Sequence, residues 1–161
     1  MMMKEGLTHL VEESIQIELN VAELYMLFKA VFPEDADFWW RLALEEKNHA
    51  ALVRSIKESF LPVGVLPDKL LSSSLQELRK VNAKILDLIV KFRNSPPSRG
   101  ESFRIAFELE ESAAEIHFQE FMENAPSSTI EEMFQKLNKD DKDHAARIRS
   151  YMEKQGVPEK P

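Results

Sequence analysis

Apolar residues recur at alternating intervals of four and three positions along four segments of the chain. The first of these seams includes Leu7, Val11, Val21, Tyr25 and Phe28. Its average spacing of about 3.5 residues is typical of helices that pack into bundles. The sequence shows no alternation of apolar and polar residues of the kind that predicts a half-buried strand. The pattern therefore predicts an all-α bundle.

Segments rich in proline and glycine separate the chain into five helical stretches, because both residues disfavour helix interiors. The serine run 72–74 supplies an N-cap for the third stretch. The spacing predicts one domain over residues 1–155 and a short C-terminal tail at 156–161. The predicted helices cover approximately residues 4–31, 34–60, 75–92, 101–123 and 130–154.

The third stretch differs from the others because its apolar seam contains no acid–histidine pair. We interpret it as part of a long crossover between the second and third helices of a bundle formed by the other four stretches. Four main helices with such a crossover predict a ferritin-like antiparallel four-helix bundle with an extra helix in the crossover.

Polar residues interrupt each of the four bundle seams near its middle. Ionised carboxylates buried without partners are very costly, and four of them in one core would also repel one another. Metal ions supply the missing positive charge most simply. The interrupting residues are Glu18, Glu46, His49, Glu111, Asp141 and His144.

A short motif containing these residues occurs twice. Residues 45–51 read EEKNHAA, and residues 140–146 read DDKDHAA. In each copy an acid and a histidine three positions apart lie on the same helix face, where they can bind one ion together. The two halves of the chain would each donate one further acid, Glu18 and Glu111. Four carboxylates, two neutral imidazoles and two divalent cations then sum to zero charge.

These residues resemble the rubrerythrin branch of the ferritin-like di-iron carboxylate superfamily. The motifs ELNVAELY, EEKNHA, FELEESAAEIHF and DDKDHA are similar to its four ligand-bearing helices, and the similarity extends over about residues 7–151. It implies a cofactor of two iron ions, although the ligand types also suit manganese, and zinc is a third option. The implied metal ligands are Glu18, Glu46, His49, Glu111, Asp141 and His144, with Glu108 as an additional candidate and Tyr25 as an aromatic residue that hydrogen-bonds a ligand.

Two features depart from the family pattern. Asp141 stands where the family has glutamate, and its shorter side chain would alter a bridge between two metals. The chain has no cysteine, so it lacks the cysteine-ligated rubredoxin-like domain through which electrons enter a rubrerythrin. A separate electron-donor protein is then expected. Bundles of this family commonly pair, so the resemblance also implies a homodimer.

Charge and hydropathy exclude several classes of partner. The formal net charge is −7, which disfavours binding to nucleic acid or to an anionic membrane surface. The N-terminal residues contain no apolar core of a secretory signal, and the apolar runs are too short to span a bilayer. A cytoplasmic location is the resulting expectation.

Three functions follow from these observations. The first is a di-iron oxidoreductase that couples oxidation of ferrous iron to reduction of peroxide or O₂. The second is an iron-binding or storage protein without significant turnover, and the third is a partner-binding bundle with a vestigial metal site. Shell assembly would indicate storage, and failure to bind metal would indicate the vestigial site.

Overall fold

The computed structural model describes residues 2–60, 62, 74–118 and 129–158, and these residues form α-helices and connecting turns without strands. A 3₁₀ turn at Pro33–Asp35 joins the first two helices. The five predicted helical stretches are confirmed, except for residues 119–123 of the fourth, which lie outside the described residues. The described α-helices are α1 (Met2–Val31), α2 (Ala36–Phe60), α3 (Leu75–Asn94), α4 (Arg99–Phe118) and α5 (Thr129–Gln155).

Local sequence signals determine where the helices begin and end. Ser74 caps α3, since its side-chain oxygen accepts a hydrogen bond from the backbone N–H of Glu77 at 3.2 Å. At the end of α5, Gly156 adopts a left-handed φ of 65°, which glycine accepts without a Cβ clash. The backbone N–H of Val157 then donates a hydrogen bond to the carbonyl of Met152 at 2.9 Å and closes the helix end.

Among the described residues, no helix combines the length and apolarity that crossing a membrane requires.

The helices pack as two pairs with α3 alongside. α1 packs along both α2 and α3, and α4 packs along α5. α1 also meets α4, and α2 meets α5, so the four helices α1, α2, α4 and α5 enclose a common interior. The largest fully buried side chains of this interior include Tyr25, Phe28, Trp39, Phe92 and Phe103. Each such side chain contributes about 2–3 kcal/mol through removal of its apolar surface from water.

Polar contacts specify how α3 lies against α1. Asn82 is buried in the middle of the α3 seam, between apolar residues that face α1. Its side-chain amide donates hydrogen bonds to the backbone oxygen and to the carboxylate of Glu13, at 3.1 and 2.7 Å. Its carbonyl oxygen accepts a hydrogen bond from Asn20 at 3.0 Å. A buried amide satisfied by two α1 residues disfavours other registers of α3, because sliding the helix would leave it unpaired.

A second polar cluster ties together one end of the bundle. Asp35, in the turn between α1 and α2, is 1 % exposed. Arg99 at the start of α4 donates two hydrogen bonds to its carboxylate, at 2.7 and 2.8 Å. The hydroxyl of Tyr151 on α5 donates a third at 2.8 Å. Three segments that are distant in sequence are therefore joined through one buried carboxylate.

Candidate metal centre

Five buried polar side chains from four helices meet inside the bundle. Their residues are at most 7 % exposed, and they form two groups of three. Within each group, one potential ligand atom per residue lies within 4.8 Å of the others, and Glu46 belongs to both groups. Each group could hold a metal ion. The first group is Glu18, Glu46 and His49, and the second is Glu46, Glu110 and His144.

The side chains converge on Glu46 from several directions. Nδ1 of His144 on α5 lies 2.8 Å from Oε1 of Glu46 and 3.4 Å from Oε2 of Glu110. Nδ1 of His49 lies 3.8 Å from Oε2 of Glu18 on α1. The two imidazole rings stack across the α2–α5 interface, with centroids 5.5 Å apart and planes inclined by 16°. Glu46 is therefore in close contact with His144 of α5 and shares a group with His49 of its own helix.

The orientation of His144 is set from outside the cluster. Its Nε2 lies 2.5 Å from Oε2 of Glu45, and the same oxygen accepts a hydrogen bond from Arg147 at 2.7 Å. A proton on Nε2, donated to Glu45, leaves the lone pair of Nδ1 directed at Glu46 and Glu110. Carboxylates commonly orient metal-binding histidines in this way. His144 is thus arranged to bind a cation through Nδ1.

Neighbouring side chains keep the carboxyl group of Glu45 ionised. Partial burial acts to raise the pKa of its carboxyl group, but the hydrogen bonds from Arg147 and His144 outweigh burial and lower that pKa. Glu45 is therefore an anion near neutral pH and a strong acceptor for the imidazole N–H.

Tyr25 supports the opposite side of the centre. Its ring is fully buried, and its hydroxyl donates a 2.5 Å hydrogen bond to Oε1 of Glu110. The other oxygen of Glu110 remains directed at His144. Tyr25 thus contacts a residue of the cluster through its hydroxyl group.

The donor set fits a divalent cation. Three carboxylates that share one buried site repel one another unless they are protonated or joined by positive charge. Oxygen donors with a few imidazoles suit iron and manganese better than zinc, which prefers softer donors and a lower coordination number.

No protein-family model, curated protein or solved structure matches the chain.

The structure brings together four of the residues predicted from the sequence, namely Glu18, Glu46, His49 and His144. The side chain of Asp141 lies outside the described residues, although its backbone is helical.

The predicted seam of α4 needs a correction. Glu111 and Glu108 are exposed, and neither belongs to the cluster. Glu110 takes the place assigned to Glu111, because α4 buries Phe103, Ala106 and Glu110 on the face toward the centre. These three residues are spaced by three and then four positions, so they fit the helical period as well as the predicted seam does.

Sequence reasoning also missed the roles of Glu45 and Arg147. Glu45 is the first acid of the EEKNHAA motif and belongs to the α2 copy, yet it supports the histidine of the α5 copy. The two neighbouring acids of this motif thus have different roles. Glu46 lies in the centre, and Glu45 orients a histidine across the interface. The second acid in each copy had a predicted role, and the first had none.

A surface pocket adjoins the centre between α2 and α5. Its volume is about 450 Å³, and both His49 and Glu45 line it. Leu52 forms part of its apolar wall, and Arg147 and Lys136 contribute positive charge. A small molecule in this pocket would reach the His49 side of the centre.

Proposed function

We propose that this protein binds two iron ions in the centre and couples their oxidation to the reduction of peroxide or O₂. The observation that carries the proposal is the membership of Glu46 in both buried groups. Glu46 could therefore contribute to binding at both groups, and two iron ions held there would supply two electrons at one site.

The residues of the two groups divide between the two ions. Glu18, Glu46 and His49 would hold the first, and Glu46, Glu110 and His144 would hold the second. Three carboxylates leave one positive charge uncompensated against two divalent ions. Asp141 lies one helical turn before His144 on α5 and is the candidate for a fourth carboxylate.

The chain contributes binding, orientation and exclusion of water. Bound iron would supply the electrons by changing from the ferrous to the ferric state. Glu45 and Arg147 hold the His144 ring in place, and Tyr25 fixes Glu110 while offering a hydroxyl group beside the reacting region. The burial of all five cluster residues strengthens their interactions with a cation, because the surroundings have a low dielectric constant.

We further infer a rubrerythrin-like protein of the ferritin-like superfamily. The order of helices supports this inference, since α3 separates two packed pairs that both contribute to the centre.

The test is metal analysis of protein reconstituted anaerobically with ferrous iron, followed by ultraviolet–visible spectra before and after addition of peroxide. We expect two iron ions per chain and a ferric absorption band that appears with peroxide. Glu110→Gln should lose one iron, whereas the matched control Glu111→Gln should retain both, because only Glu110 faces the centre.

Three outcomes would contradict the proposal in different ways. Failure to bind iron after reconstitution would leave a helical scaffold with a vestigial site. Zinc binding without a response to peroxide would preserve the site and remove its redox function. Equal losses of iron in both glutamine variants would show that the centre is placed incorrectly on α4.

A further inference from the structure

Aromatic rings form a continuous series from the candidate centre to the protein surface. The ring centroids of Tyr25 and Trp39 are 5.4 Å apart. Trp39 contacts Phe38 at 5.4 Å and Phe103 at 4.6 Å. Phe38 stacks on Tyr151 with centroids 4.1 Å apart, and Phe103 lies 5.5 Å from the same ring. Two routes therefore connect Trp39 with Tyr151, one through the ring of Phe38 and one through the ring of Phe103.

The two ends of this series lie in different environments. Tyr25 is fully buried and hydrogen-bonds Glu110 of the centre. Tyr151 is half-buried and lines a surface pocket of about 550 Å³, together with Arg41 and Lys154. The series thus starts at a residue of the centre and ends where a soluble molecule can make contact.

The chemistry of each position suits the transfer of an oxidising equivalent. Tyrosine and tryptophan are oxidised by one electron more readily than the other ring side chains in the series. Burial and the hydrogen bond to Asp35 raise the pKa of Tyr151 to about 12, so its phenol is protonated at neutral pH. An oxidised phenol is a strong acid, and the carboxylate of Asp35 is already in position to accept its proton.

Trp39 differs from the tyrosines in one respect. Its Nε1 is buried, and within the described part of the chain it has no hydrogen-bond partner. An indole that has lost an electron therefore keeps its proton and remains strongly oxidising. It would pass the oxidising equivalent on to Tyr151, where proton loss to Asp35 makes the transfer favourable.

We propose that Tyr25, Trp39 and Tyr151 form a path that carries oxidising equivalents from the metal centre to the surface. This inference rests on the redox function proposed above. Peroxide needs two electrons and two protons to form two water molecules. When the centre holds a single ferrous ion, that ion supplies one electron, and the second comes from Tyr151 through Trp39 and Tyr25. Both protons come from solvent water, which reaches the His49 side of the centre from the surface pocket between α2 and α5.

The step leaves a defined product on the chain. Tyr151 loses one electron from its ring and its phenolic proton to Asp35, so it becomes a neutral tyrosyl radical. A soluble one-electron reductant that enters the adjoining pocket returns the electron, and Asp35 returns the proton. The path thus removes a damaging oxidant from the buried centre when too little ferrous iron is present.

The composition of the chain makes this proposal easy to test, because it contains two tyrosines and two tryptophans. Protein loaded with substoichiometric ferrous iron would be mixed with peroxide, frozen rapidly and examined by electron paramagnetic resonance. We expect a tyrosyl radical in the wild type whose yield and line shape change in Tyr151→Phe, because the oxidising equivalent then stops at Tyr25 or Trp39. Trp39→Phe should lower the radical yield several-fold, whereas Trp40→Phe should not, because Trp40 is 46 % exposed and lies outside the series.

The outcomes separate this inference from the proposed function. A ferric absorption band without any protein radical would overturn the path and leave the di-iron function intact. A radical of unchanged yield and line shape in Tyr151→Phe would also overturn it, since the oxidised residue would then be Tyr25. Absence of both iron oxidation and radical would overturn the proposed function and the path together. Circular dichroism identifies any variant that fails to fold. If Trp39→Phe does not fold, Tyr151→Phe still tests the path, because it removes only a hydroxyl group.

Discussion

Glu45→Ala should weaken metal binding although Glu45 belongs to neither group of candidate ligands. The substitution removes the oxygen that lies 2.5 Å from Nε2 of His144 and accepts a hydrogen bond from Arg147. His144 is 1 % exposed, so only water that enters from the surface pocket at Glu45 could replace the lost acceptor. The ring would then lose both its fixed orientation and its preference for a proton on Nε2.

The magnitude follows from two independent considerations. Removal of the partner of a buried donor costs about 1–3 kcal/mol. Loss of a carboxylate that orients a metal-binding histidine lowers metal affinity by about 10- to 100-fold, which equals about 1.4–2.7 kcal/mol. The first cost applies to the stability of the fold, and the second gives the expected decrease of about 10- to 100-fold in affinity for the ion held by His144.

Cobalt(II) is a suitable probe because its visible absorption bands report binding without a redox reaction. The affinity of each variant would be measured by anaerobic titration at neutral pH. Glu45→Gln is the conservative control, since its amide oxygen can still accept the N–H of His144, and it should lose less affinity than the alanine variant. Unchanged cobalt affinity in a correctly folded Glu45→Ala protein would refute the assignment of Nδ1 as the ligand atom of His144.

Three further predictions concern the cluster and the polar contacts at the bundle end. Replacement of both Glu46 and His49 by leucine should abolish the rise in thermal unfolding temperature that cobalt causes. The metal-free variant should be no less stable than the wild type, because a buried carboxylate is removed. A persistent metal-dependent rise in the unfolding temperature would contradict the assignment of these residues as ligands. Arg99→Leu should lower the free energy of unfolding by about 3 kcal/mol in urea titrations, because it leaves the buried carboxylate of Asp35 without its cation; a loss near zero would argue against a charged Asp35. Since the pKa of Tyr151 is raised to about 12 in the folded protein, its contribution to stability is present below about pH 10 and is lost as the pH rises toward 12. Urea unfolding at several alkaline pH values should show this loss in the wild type and a smaller one in Tyr151→Phe.

The helices were predictable because their limits depend on local chemistry. The seam of α3, with Leu78, Ile85 and Phe92, and the capping serine before it both appear in the sequence, and both are confirmed. The helix against which α3 packs was not predictable. That choice depends on Asn20 and Glu13, which meet Asn82 only after the chain has folded.

The error in α4 has a physical cause. Each residue turns an α-helix by about 100°, so a shift of one position moves a glutamate from the interior to solvent. The segment offers apolar side chains on two overlapping stripes, one through Phe103 and Ala106 and another through Phe107. Periodicity alone does not choose between them. The choice follows from tertiary contacts, among them the hydrogen bond between Tyr25 and Glu110.

The seams of α1 and α2 posed no such ambiguity. Glu18 and Glu46 each interrupt one apolar seam, and both are buried as predicted. Glu45 could not be assigned in the same way, because its function comes from a histidine and an arginine on α5. Residues that act within one helix face were therefore accessible to sequence reasoning, and residues that act between helices were not.

The distribution of the cluster along the chain also has a consequence for folding kinetics. Each helix pair is formed by segments close in sequence, whereas the groups that meet at Glu46 extend from α1 to α5. Contacts between distant segments form late, because closing a long loop costs entropy before the contacts compensate for it. Docking of the two helix pairs would also bring three carboxylates together. When a chelator removes metal ions, repulsion between these carboxylates opposes this last step of folding. A divalent ion present during refolding would remove that repulsion and speed closure of the bundle, so that metal supply would govern how quickly a newly made chain becomes compact.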